Sequence, residues 1–164
     1  MGYCYTNIEQ ETELEPIDDK DIENFKNKHK NIVDLFEGTF LNKDADGIIW
    51  ILGEESFSLN SRDFPRLDDE KPNQNRARVK FFEGAKMKIY PDGTGGFSWG
   101  QDGFPKEFYD ELAQLINEEV NFHAGNVDCG DSGYYSGNYS LYFDNGNAVF
   151  SAAFSYYEEA KEGW

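Results

Sequence analysis

The sequence predicts an α+β fold, a mainly antiparallel β-sheet with two α-helices packed on one face. Two segments place apolar residues at helical spacing, and several short segments alternate or run apolar at strand length. The order is strand, helix, several strands, helix, several strands, which differs from the regular alternation that builds a parallel sheet. The 164 residues read as a single domain, 1–164, since domains commonly hold roughly 100–150 residues. With 14 Phe and 10 Tyr, the core is expected to be aromatic, and the composition argues against wholesale disorder.

Residues 3–14 alternate as a strand, with Cys4, Thr6 and Ile8 on one face and Tyr3, Tyr5, Asn7 and Glu9 on the other; Pro16 ends it. Asp18 or Asp19 then caps a helix near 19–37, whose buried side is Ile22, Phe25, Ile32, Val33 and Phe36, with Gly38 as the stop. Gly47–Leu52 is a short β-branched apolar run, expected as a buried strand with Ser56–Leu59 beside it. Residues 60–75 are polar, contain Pro65 and Pro72 and show no period, so they read as a long loop. Ala77–Glu83 and Lys86–Tyr90 read as strands, and Pro91 to Gly96 as a turn leading into a strand at Phe97–Trp99.

Pro105 suits the first turn of a second helix, which buries Phe108, Leu112, Leu115 and Ile116 and runs to about Val120. Tyr139–Phe143 and Ala148–Tyr157 flank Asn145-Gly146, a strong signal for a β-hairpin.

The 32 acidic and 15 basic residues give a formal charge of −17. Direct contact with nucleic acid or an anionic membrane is not expected on this ground, because phosphates are bound by Lys and Arg. The expected partner is a basic protein. Two cysteines, Cys4 and Cys129, make no disulfide framework, and the N-terminus shows neither a signal peptide nor a membrane span, so a cytoplasmic protein is expected.

The acidity is concentrated. Glu9, Glu11, Glu13 and Glu15 alternate at period two and would line one face of a strand at intervals of roughly 6.6 Å. Asp18 and Asp19 follow directly. On the second helix Glu107, Asp110, Glu111 and Glu118 fall within about 100° of arc opposite the apolar stripe. Apart from Lys106, no lysine stands at helical pairing distance from either row. Rows of like charge oppose folding unless something uses them, so they read either as a solvated face or as a surface that occupies a Lys/Arg groove that normally takes phosphates. These ten carboxylates are the candidate partner-binding residues.

In charge and size the chain is similar to the acidic phage-borne inhibitors of restriction and CRISPR enzymes and to the immunity proteins that block basic nuclease toxins. That similarity implies an anti-CRISPR, antirestriction or nuclease-immunity role, without catalysis, cofactor or metal. Two alternatives come from the residues: a small enzyme whose carboxylates meet only in the fold, and a calcium-responsive domain. The second rests on Asn42–Gly47, which matches the start of an EF-hand loop, although position twelve is Gly53 instead of glutamate. Gly93–Gly96 lacks the lysine of a phosphate loop and reads as a turn. His29 lies among the apolar positions of the first helix and reads as a core histidine, while His123 and Asp128–Ser132 show no spacing for a triad or metal site.

Overall fold

A computed structural model describes residues 6–59, 74–85, 103–126 and 133–158. The fold is α+β and largely sheet. Five antiparallel strands lie in the order β4-β1-β5-β6-β7, where β1 is Thr6–Gln10, β4 Ser56–Leu59, β5 Val120–Asn126, β6 Gly133–Asp144 and β7 Asn147–Glu158. A small second sheet pairs β2, Asn42–Lys43, with β3, Ile49–Trp50. The first strand is thus internal, flanked by β4 and β5.

The first strand ends at Gln10, short of residue 14, so Glu11, Glu13 and Glu15 lie beyond it, although the alternation continues there, with Glu9, Glu11, Glu13 and Glu15 exposed and Gln10 and Leu14 buried; Tyr3 to Tyr5 lie outside the described residues. The first helix is broken. Helix α1 spans Asp19–Lys28, α2 Lys30–Val33, and a 3-10 turn covers Asp34–Phe36. Asp18 caps α1 by accepting from Lys20 N at 2.9 Å. At His29 the backbone leaves helical geometry (φ −109°, ψ 35°) and the ring packs on Phe25 and edge-on to Phe108. The apolar phase survives the break, since Ile22, Phe25, His29, Ile32 and Phe36 are all buried. Glu37 (φ 53°) and Gly38 (φ 84°) then turn the chain away.

Within 47–52 only Ile49–Trp50 is strand, and Ser56–Leu59 pairs with β1 instead of that run. The two are joined through Gln10, a buried glutamine whose Nε2 donates to Ile49 O (3.0 Å) and Thr12 O (2.9 Å) while Oε1 accepts from Ile51 N (2.9 Å).

The expected strand at 77–83 is a helix, α3, Gln74–Phe82. Its sequence alternates apolar and basic, but the alternation does not report exposure, because Arg78 is only 2% exposed. Its guanidinium donates twice to Leu52 O (3.1 and 2.9 Å) and once to Asn75 Oδ1 (2.8 Å), and lies over the Phe57 ring. Ala77 and Phe81, and Arg78 and Phe82, are buried pairs one helical turn apart. The expected elements at 86–90, 91–96 and 97–99, most of the 60–75 loop, Cys4 and Cys129 lie outside the described residues.

Helix α4 spans Lys106–Ile116, ending short of Val120 where Asn117 adopts φ 58° and its N–H returns to Ala113 O. Residues 120–126, to which the sequence assigned no strand, form β5, with Val120, Phe122 and Ala124 buried at period two. Strands β6 and β7 make the expected hairpin: Asp144 pairs with Asn147, and Asn145 (φ 56°) and Gly146 (φ 85°) take the two left-handed positions of a tight turn. Helix α4 packs against β6 and β7, and α1 packs against α4. The core is aromatic, with Phe36, Phe40, Phe81, Phe82, Phe108 and Tyr139 essentially inaccessible.

Candidate functional site

The candidate carboxylates divide into two groups. Those on the helices are largely engaged within the fold. Asp110 accepts from Lys106 Nζ (2.7 Å) and from Ala148 N (2.7 Å), so it ties α4 to β7. The Lys106 ammonium, and then the Ala148 amide, hold the Asp110 carboxyl below its usual range.

Glu111 accepts from Lys28 Nζ (2.6 Å) and is bonded to His29 Nε2 (2.8 Å), which hold its carboxyl below the usual range in the same way; the Lys28 ammonium is raised in turn. Lys28 also reaches Glu107 at 3.5 Å. Asp19 pairs with Lys43 and Asp18 caps α1. The second-helix row is therefore not unpaired: Lys28 of α1, invisible at sequence distance, crosses to it. Glu118 is not on the helix, since it follows the Asn117 cap.

Glu9, Glu11, Glu13 and Glu15 are exposed and make no ion pair with any described residue. Although Glu11, Glu13 and Glu15 lie beyond the strand, tertiary bonds hold their segment in place. Gln10 N donates to Glu55 O (2.9 Å), Glu11 N to Asn121 O (2.8 Å), and Asn121 N to Thr12 Oγ1 (2.9 Å). Glu15 N donates to Glu118 Oε2 at 2.7 Å. Residues 9–15 thus run between the 54–56 turn and the 118–121 connection. The fold adds Glu55 and Glu119, both exposed, to the predicted residues, and brings in Glu118 from the other row.

Sequence reasoning missed this convergence because it joins segments more than 40 and 100 residues apart. The available hint was that Glu54-Glu55 and Glu118-Glu119 are doublets directly beside apolar runs. Glu54 stands apart from the others, since Arg78 pairs with it at 3.3 Å.

The EF-hand-like segment is a hairpin loop between β2 and β3. Asp44 Oδ1 accepts from Asp46 N (2.8 Å) and Ile48 N (3.0 Å), and Oδ2 accepts from the Trp50 indole N–H (2.9 Å). The indole bond, followed by the backbone amides, holds the Asp44 carboxyl below its ordinary value. Both oxygens thus serve the turn itself. His123 lies on the solvent side of β5, with Nε2 3.1 Å from Ser136 Oγ.

A cavity of about 400 Å³ opens between α4 and β7, lined by Gly84, Phe104, Lys106, Tyr109 and Ala148–Ser151. Tyr109 is buried; its hydroxyl donates to Phe81 O (2.7 Å) and accepts from Phe104 N (3.2 Å), and burial pushes its phenol up. A groove of about 520 Å³ between α1 and α4 is lined by Asp21, Asn24, Lys28, Glu111 and Gln114 over Phe25 and Leu115. No helix among the described residues is long and apolar enough to cross a membrane. No protein-family model, curated protein or solved structure matches this chain.

Proposed function

We propose that this chain is an acidic inhibitor that binds the basic groove of a nucleic-acid enzyme in place of its phosphates, in the manner of an anti-CRISPR, antirestriction or nuclease-immunity protein. The observation that carries the reading is the convergence of Glu9, Glu11, Glu13, Glu15, Glu55 and Glu119 on one clamped region, while Lys28 of α1 and Lys106 of α4 are paired elsewhere. Carboxylates held in place by backbone bonds keep their spacing, and a spaced array gains charge-assisted hydrogen bonds from Arg and Lys without a large ordering cost. Of the ten residues named from sequence, Glu9, Glu11, Glu13 and Glu15 carry the binding, with Glu118 supporting Glu15. Asp18, Asp19, Glu107, Asp110 and Glu111 serve chiefly the fold.

The test is inhibition of DNA cleavage by a panel of purified restriction, CRISPR and toxin nucleases. Inhibition is expected to weaken by about tenfold or more between low and physiological salt, as for a ligand that replaces phosphates. A variant carrying Glu9→Lys, Glu11→Lys, Glu13→Lys and Glu15→Lys should lose it, whereas Glu107→Gln should not. Undiminished inhibition by the fourfold variant would overturn the reading.

A further inference from the structure

Among the described residues β7 is the last strand of the sheet, and it is twelve residues long. The tight turn fixes which of its backbone groups are used. Asp144 and Asn147 close the two-residue loop as a hydrogen-bonded pair, and such pairs alternate along an antiparallel ladder. Val149 with Tyr142, and Ser151 with Ser140, are therefore the bonded pairs, while the N–H and C=O groups of Ala148, Phe150 and Ala152 point away from β6.

One of these donors is already taken, and its partner confirms the direction: Ala148 N donates to Asp110 Oδ1 at 2.7 Å. No such carboxylate among the described residues meets Phe150 or Ala152. Beside them lies the cavity of about 400 Å³, lined by Gly84, Phe104, Lys106, Tyr109 and Ala148–Ser151. A row of donors and acceptors without partners among the described residues, next to a mainly apolar pocket, is the arrangement that takes an extended peptide by strand addition.

We propose that the edge of β7 binds an extended basic segment of a partner protein as a sixth strand. The partner's backbone pairs with Phe150 and Ala152, and the apolar side chain opposite Phe150 enters the cavity, because residues directly across a ladder share a face. Lys106, which also lines the cavity, is engaged by Asp110 and Asn147, so the formal charge of −17 and the exposed Asp144 at the turn select basic residues on either side of that apolar one. The same charge disfavours a second copy of this chain as the occupant. The basic character of the segment rests on the function proposed above; the strand addition does not, and it uses a different surface from Glu9–Glu15.

The probe is a blocked peptide of alternating Lys and Val, about seven residues long as in an ordinary strand. Amide exchange followed by NMR on the free protein should show Phe150 and Ala152 exchanging at least about tenfold faster than Val149 and Ser151. Adding the peptide should slow Phe150 and Ala152 to match them. Ala152→Pro removes an edge-pointing N–H while leaving the β6 ladder intact, and should abolish the effect. Should that variant fold poorly, N-methylation of the peptide on the β7 side must abolish binding to the unaltered protein.

Protection of Phe150 and Ala152 in the free protein would overturn the proposal. Protection independent of concentration would mean that the chain covers its own edge, and protection that grows with concentration would mean a second copy. Equal binding of a Glu–Val peptide would overturn the basic occupant. Charge reversal at Glu9–Glu15 weakens this peptide through the net charge but leaves Phe150 and Ala152 protected at saturating peptide if the two surfaces are separate, so either proposal can fail without the other.

Discussion

Gln10 shows how one side chain can decide the packing of several segments. Its amide satisfies Ile49 O and Ile51 N inside the protein, two groups that would otherwise be buried without partners. Gln10→Leu keeps the volume but orphans both, and should cost about 3 kcal/mol in urea unfolding. A loss below about 0.5 kcal/mol would mean that water replaces the amide. Gly84 is similarly constrained, because a Cβ there would overlap the Tyr109 ring and hydroxyl. Gly84→Ala should therefore cost about 1–3 kcal/mol, as overpacked sites do. At this scale the sequence was readable where a residue acts locally, as with the Asp18 cap and Asn145-Gly146. It was misleading at Arg78, because charge normally signals exposure and here a carbonyl and an aromatic ring receive the guanidinium in the interior.

Among the elements, α4 and the β6–β7 hairpin were legible because each carries its own periodicity and its own stop. Helix α3 was not, since apolar and basic residues alternate at period two while a helix buries both kinds. Strand β5 was hidden behind α4, whose end depends on the left-handed Asn117.

The α1–α4 contact supplies an acid-sensitive joint. Glu111 is depressed in the folded state by Lys28 and His29, so its contribution is fully present above the unfolded carboxylate value of about 4.5 and is lost as pH falls through its lower folded value. In chemical denaturation at a series of pH values, Glu111→Gln should be less stable than the parent at neutral pH. The gap should close in the region below about pH 4. A gap that stayed constant would show that the carboxylate acts only through its shape. The contribution is modest, because Lys28 and Glu107 are more than half exposed.

For the whole molecule, the balance of charge matters more than any single pair. Apart from Arg78–Glu54, the described ion pairs gather on α1, α4 and their neighbours, leaving Glu9, Glu11, Glu13 and Glu15 as uncompensated negative charge. Salt should therefore stabilise the protein: screening of self-repulsion over about 8 Å at physiological ionic strength outweighs the weakening of exposed pairs. A rise in Tm of about 3 °C from low to physiological salt, close to 1 kcal/mol at this size, is the expected calorimetric result. A fall would show that the ion pairs dominate. Composition alone announced an acidic surface, and the segment 9–15 was named from its alternation. Its true neighbours could not be read, since only the sheet order brings residues 54–56 and 118–121 beside it.

That sheet order has a consequence for synthesis on the ribosome. Of the described strands β1 is made before the others; it lies between two partners, and one of them, β5, is encoded more than a hundred residues later. At about 5–20 residues per second, the nascent chain carries that strand for on the order of ten seconds before its second neighbour emerges. Over that interval Ile8 has no β5 to cover it, and the glutamates that follow help keep the waiting segment hydrated and apart from other nascent chains. The acidic stretch would then protect the growing chain before it ever meets a partner.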